Sequence, residues 1–120
     1  MPLLSIGKQF IDDVISGKKK QTIRTGQRYK EGDVLKMWYG PYKAHGRVKI
    51  GEAIAISVDR IIFWEDGDAI LRGRILNEFE KAALARGDGF KNTKEMIDYF
   101  TKEVNKELQL IKWDEIKKVE

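Results

Sequence analysis

Gly17-Lys18-Lys19-Lys20-Gln21-Thr22-Ile23-Arg24-Thr25, continued by Gly26-Gln27-Arg28-Tyr29-Lys30, joins a helical pattern to a β-prone one and concentrates the positive charge. Residues 8 to 30 hold seven Lys or Arg (8, 18, 19, 20, 24, 28, 30) against Asp12 and Asp13, a balance of +5, whereas the whole chain carries +4. Everything else therefore sums to −1, so the positive field is local. Gly17 can take the positive φ that stops a helix, and Gln21 to Thr25 alternates as a strand does. In such a strand Lys20, Thr22 and Arg24 share one face, and Gln21, Ile23 and Thr25 the other. A solvated basic strand would carry the same run of charges. The hydroxyl placed between two cations on one face points instead to a site.

Working outward, residues 8 to 16 put Phe10, Ile11, Val14 and Ile15 on one helical face, with Asp12 and Asp13 outward. The C-terminal end of this short helix favours the lysines that follow it, so helix-end stabilisation accounts for part of the cluster. On the other side, Lys30-Glu31-Gly32-Asp33 reads as a turn and Val34 to Tyr39 as a strand. Gly40-Pro41 breaks that strand. After a polar loop with Tyr42, Lys43 and His45, Arg47 to Trp64 is a long β-prone run with an expected bend at Gly51, and Glu65-Asp66-Gly67-Asp68 is an acidic turn. The pattern then becomes helical: residues 75 to 86 place Leu76, Phe79, Ala83 and Leu84 on one face before Gly87, and Asn92 with Glu95 starts a second helix with the stripe Met96, Ile97, Phe100 and Val104. Leu108 to Val119 reads as a closing strand. Strands first, a late helical pair and a final strand predict an α+β chain, a small mixed barrel with helices packed at one side.

Length bounds the rest. A chain of 120 residues is expected to form one domain, 1–120, burying roughly two thirds of the surface its unfolded form exposes. Neither an apolar run of about 18 residues nor a cleavable leader is legible, so the expectation is a cytoplasmic chain without a membrane span. There is no Cys, and one His, which excludes thiol catalysis and leaves a metal site without ligands. No cofactor is expected, and a monomer is assumed. With a pI near 9.2, anionic partners are favoured, nucleic acid foremost. Trp38 and Tyr42, flanking Gly40-Pro41, are candidates for stacking on a base.

The helix ending at Gly17, the motif Gly17-x-Lys19-x-x-Thr22-x-Arg24, Gly32-Asp33 opening a strand, and Asp88-Gly89-Phe90 ahead of a capped helix together resemble the ASCH domain, a family with a PUA-like barrel. The resemblance implies an RNA- or nucleotide-binding module with a basic groove. In a minority of the family it implies an enzyme, either an amidohydrolase acting on N4-acetylcytidine or a related modified nucleoside, or a ribonuclease. In the amidohydrolases the motif Lys acts with the motif Thr as nucleophile and a Glu completes the site. Carried over, these are Lys19, Thr22 and, where the family has that Glu, Asp88, one methylene shorter. The binding set expected is Lys18, Lys19, Lys20, Thr22, Arg24, Arg28, Lys30, Trp38 and Tyr42, with binding ranked ahead of catalysis. A Lys can serve as base when burial or neighbouring cations lower its pKa, and Lys18 and Lys20 are the expected cations. Residues 19 and 22 lie an odd number apart, so their convergence demands a bend near Lys19 or Lys20.

Overall fold

A computed structural model describes residues 3–25, 29–39, 48–64, 66–100 and 107–118. The fold is organised by one long strand. β4 (Val48–Phe63) pairs through its first half with β3 (Val34–Tyr39) and β8 (Lys117–Lys118), and through its second half with β7 (Leu108–Trp113) and β5 (Ala69–Leu71). β1 (Leu3–Ser5) adds in parallel to β3, β2 (Gln21–Thr25) lies antiparallel to β7, and β6 (Arg74–Ile75) closes on β5. The result is a mixed sheet curled into a half-barrel with a few helices beside it, the α+β class expected.

Curvature comes from two irregularities in β4. The register against β3 shifts between Met37 and Trp38, opposite Gly51 and Lys49, and the register against β7 shifts between Ala55 and Ser57. Each extra residue bends the strand and increases its twist. Gly51, beside the first of these, lets β8 approach closely, because a Cβ there would run into the Lys117 carbonyl. The expected bend is found, with a second one that the sequence did not signal.

Alternation along β7 divides the interior. Ile111 and Trp113 join Leu4, Val14, Leu35 and Met37 in one core beneath α1 (Ile11–Ser16), which a 3-10 turn (Lys8–Phe10) precedes. Leu108 and Leu110 join Ile23, Ile61, Phe63, Leu84, Met96 and Phe100 in a second core beneath α2 (Glu78–Gly87) and α3 (Thr93–Tyr99).

The helices start where their caps place them. Asn77 and Glu80 form a reciprocal capping box, Oδ1 accepting from the Glu80 N–H at 2.8 Å and Oε1 from the Asn77 N–H at 3.0 Å, so α2 begins later than residue 75. The expected apolar face of this helix is corrected: Phe79 and Ala83 are exposed, whereas Lys81, Leu84 and Ala85 are buried. Lys81 is tolerated inside because its ammonium reaches Glu78 at 2.8 Å and the Gly67 carbonyl at 3.3 Å. At α3, Asn92 accepts from the Glu95 N–H at 2.9 Å and Met96 and Phe100 are buried as expected; Val104 lies outside the described residues. Among the described residues no helix is long and apolar enough to cross a membrane.

Candidate functional site

The link that carries Lys19 into β2 begins at Gly17. This glycine ends α1 at φ 86°, its N–H returning to the Val14 carbonyl, and the Lys19 N–H then bonds the Asp13 carbonyl at 2.9 Å. Lys19 thus sits in a link, before the strand begins at Gln21, and is not bound by strand alternation. Its side chain turns inward, leaving Lys19 only 4% exposed.

Asp88 approaches from the opposite wall. It caps the end of α2 between two glycines that sit close to their neighbours. A Cβ on Gly87 would lie 2.8 Å from the Gln21 amide oxygen, and one on Gly89, whose φ is +92°, would lie 2.6 Å from the Phe10 ring. Two bare backbones therefore let the turn settle onto β2 and the 3-10 turn. Gln21 fastens it by donating to the Leu84 carbonyl at 3.3 Å.

The two ionisable groups meet inside. Lys19 Nζ donates to the Asp88 carbonyl at 2.6 Å, lies 3.6 Å from Asp88 Oδ1 and stands 4.6 Å over the Phe10 ring. Asp88 is 5% exposed, and its Oδ1 accepts no hydrogen bond. Burial pushes the Asp88 carboxyl up to about 6, against the pull of Lys19 and Arg24. Burial likewise lowers the Lys19 ammonium, opposed by Asp88 and reinforced by Arg24. The cation assisting that depression is Arg24, a correction to the expected Lys18 and Lys20.

Arg24 completes the arrangement from β2. Nη1 donates to Thr22 Oγ1 at 2.7 Å and to the Ile23 carbonyl at 3.1 Å, and Nη2 donates to the Ser5 carbonyl at 2.6 Å. Thr22 and Arg24 share a face, as alternation requires, and Thr22 is 2% exposed. Burial lowers the guanidinium pKa without displacing it from the charged form near neutrality. Tyr29 holds the segment beyond: its hydroxyl donates to the Leu3 carbonyl at 3.0 Å, and its backbone exchanges bonds with the Gln109 amide at 3.1 and 2.9 Å.

Lys19, Thr22, Arg24 and Asp88 all line one cavity of about 290 Å³, together with Ser5, Gln9, Phe10, Phe90, Tyr99 and Phe100. The other expected residues that are described do not join it. Lys18, Lys20 and Lys30 are exposed and do not line the cavity; Lys20 precedes the strand, so the alternation expected to put it on the face of Thr22 and Arg24 does not extend to it. Trp38 is half-buried in β3, in register with Ser5 of β1, and does not line the cavity. Arg28 and Tyr42 lie outside the described residues. Sequence reasoning missed the aromatic wall of Phe90 and Tyr99; their closeness to the Asp88 turn was the available signal. Among the described residues no group of three metal-ligating side chains forms.

No protein-family model matches the chain, and no curated protein matches its sequence. Among solved structures it is similar to a mutant ZmASCH protein from Zymomonas mobilis, with a TM-score of 0.56 and 14% sequence identity over 95% of this chain and 68% of that one. At that identity the likeness shows the fold, which is ASCH-like.

Proposed function

We propose that the cavity receives the base or nucleoside portion of a nucleotide, free or within RNA. The observation that carries this reading is the Asp88 carboxylate, buried at 5% exposure with an oxygen that accepts no hydrogen bond and lining a cavity that also holds Lys19 and Arg24. The Lys19 ammonium, 3.6 Å from that oxygen, meets part of its charge, and a carboxylate on the cavity wall has further acceptor capacity for a ligand N–H. A volume of about 290 Å³ suits one small planar group. The exposed Lys18, Lys20 and Lys30 would then meet phosphates outside. Titration of RNA at increasing salt tests this: affinity falls steeply, by a log–log slope of about −0.7 per phosphate contact, and Lys20→Ala reduces the slope. A flat salt response refutes RNA binding.

Catalysis is the second reading, favoured by the Thr22 hydroxyl. Its oxygen accepts from Arg24 at 2.7 Å, so a cation lowers the cost of removing its proton, and Lys19, with its depressed pKa, lines the same cavity. On this reading the Thr22 oxygen attacks the acetyl carbonyl of N4-acetylcytidine as Lys19 takes its proton, and the cytidine amine leaves with a proton. Water then releases acetate. Acetate release that Thr22→Ala abolishes while cytidine binding persists supports it. Absence of acetate release from both the wild type and Asp88→Glu, with binding retained, leaves the binding module alone.

A further inference from the structure

The cavity mouth carries an aromatic side chain with no evident structural duty. Tyr99 lines the cavity yet is 69% exposed, whereas Phe100 beside it is 6% exposed. Its ring is fixed from behind. The Phe90 and Tyr99 centroids are 5.3 Å apart at 56°, those of Tyr99 and Phe100 are 5.0 Å apart at 79°, and Phe100 is stacked on Phe63 of β4 at 5.0 Å and 6°. A chain of rings thus runs from the core to the lip and ends in a surface open to solvent. Such tilted contacts orient an aromatic ring without covering it. An exposed ring backed by two aromatic contacts, beside the buried Lys19 and the half-buried Arg24, has lost part of the freedom that binding would otherwise remove.

Resting on the nucleoside reading above, we infer that Tyr99 is the platform on which the planar base stacks as it enters the cavity, with Phe90 holding the platform in place. The ligand class is therefore a heteroaromatic base, distinguished from a bare sugar phosphate by its π-face. Every base has such a face, so Tyr99 contributes affinity while the polar wall selects among bases.

The test is calorimetric titration of the full chain, as wild type, Tyr99→Phe and Tyr99→Leu, with cytidine 5′-monophosphate and with ribose 5-phosphate. Tyr99→Phe is expected to bind the nucleotide within about threefold of wild type, and Tyr99→Leu about 5- to 150-fold more weakly, the range for loss of one base–aromatic stack. Ribose 5-phosphate is expected to bind all three proteins alike. Hypochromism of the bound base, present in wild type and absent in Tyr99→Leu, is the expected spectroscopic signature. Unchanged nucleotide affinity in Tyr99→Leu, or an equal loss in Tyr99→Phe, overturns the platform while leaving the nucleoside reading intact. Failure of the wild type to bind the nucleotide while binding ribose 5-phosphate overturns both.

Discussion

Gly89→Ala reaches the positioning of Asp88 without touching a polar atom. Gly89 sits at φ +92°, and a Cβ there would lie 2.6 Å from Phe10 Cε1 and 3.1 Å from Cδ1, distances at which something must shift. Backbone strain from a non-glycine residue in the left-handed region costs about 1–2 kcal/mol, and forcing a methyl against a packed ring adds about 1–3 kcal/mol. Together these are on the order of 2–5 kcal/mol, a drop in melting temperature of roughly 10–20 °C for a chain of this size. Gly32 supplies the control, because its φ is +90° with nothing within 4 Å of an added Cβ. Gly32→Ala therefore carries the strain alone, about 1–2 kcal/mol. The excess of Gly89→Ala over that control measures how tightly the Asp88 turn sits on Phe10. Thermal denaturation of both variants, and of Gly89→Ala combined with Phe10→Leu, is the assay; relief of the ring contact is expected to recover about 1 kcal/mol as a coupling energy. The same displacement carries the Asp88 carbonyl away from Lys19, so nucleotide affinity falls alongside stability. A Gly89→Ala protein that melts with Gly32→Ala, and shows no coupling to Phe10, refutes the reasoning.

Other expectations follow from the same geometry. The Asp88 carboxyl is held near 6 in the folded protein against an ordinary 3.8, so the folded state keeps its proton longer than the unfolded state does. Stability contributed by that proton is complete below about pH 4 and is lost as pH rises towards 6, a slope that Asp88→Asn is expected to flatten in pH-dependent denaturation curves. A difference between wild type and Asp88→Asn that grows as pH rises across this window contradicts the assignment. Thr22→Ala removes the 2.7 Å acceptor of a half-buried guanidinium and is expected to cost about 1.5–3 kcal/mol in urea denaturation; a loss within 0.5 kcal/mol, roughly the scale of a surface substitution, would mean Arg24 does not depend on it. Lys19→Met leaves Asp88 buried beside Arg24 without its closest cation, and is expected to raise the Asp88 pKa further and to weaken nucleotide binding by at least tenfold, about 1.4 kcal/mol, readable by NMR titration of the carboxyl and by calorimetry.

Much of this fold was legible because its signals are local. The stop at Gly17, the β2 alternation from Gln21 to Thr25, the Gly32-Asp33 turn and the Asn92 cap each act over a few residues, and each lies where expected. The short strands β1, β5, β6 and β8 were not legible: two or three residues carry no periodicity, and these form only because β3, β4 and β5 offer partners. The α2 face was misread because the sequence weighs Phe79 as apolar, whereas tertiary contacts bury the Lys81 stem and leave the ring in water. At the site, the resemblance to the ASCH motif pointed to Lys19, Thr22, Arg24 and Asp88, which line one cavity. The charge run alone could not separate Lys19 from Lys18 and Lys20, because their difference in burial arises from where the link turns inward. Nor could it find Phe90 and Tyr99, whose role depends on a wall assembled by the distant β2 and β4.

Chemical-shift mapping of the ¹⁵N-labelled chain titrated with cytidine 5′-monophosphate tests the central claim most directly. Perturbations are expected to gather at Ser5, Lys19, Thr22, Arg24, Asp88 and Tyr99, residues from separate parts of the chain that share only this cavity. Saturation is expected to be lost in Lys19→Met. Shifts centred instead on the groove of Val34, Ile54, Ile56 and Glu115, or shifts confined to the exposed Lys18, Lys20 and Lys30, would contradict the account.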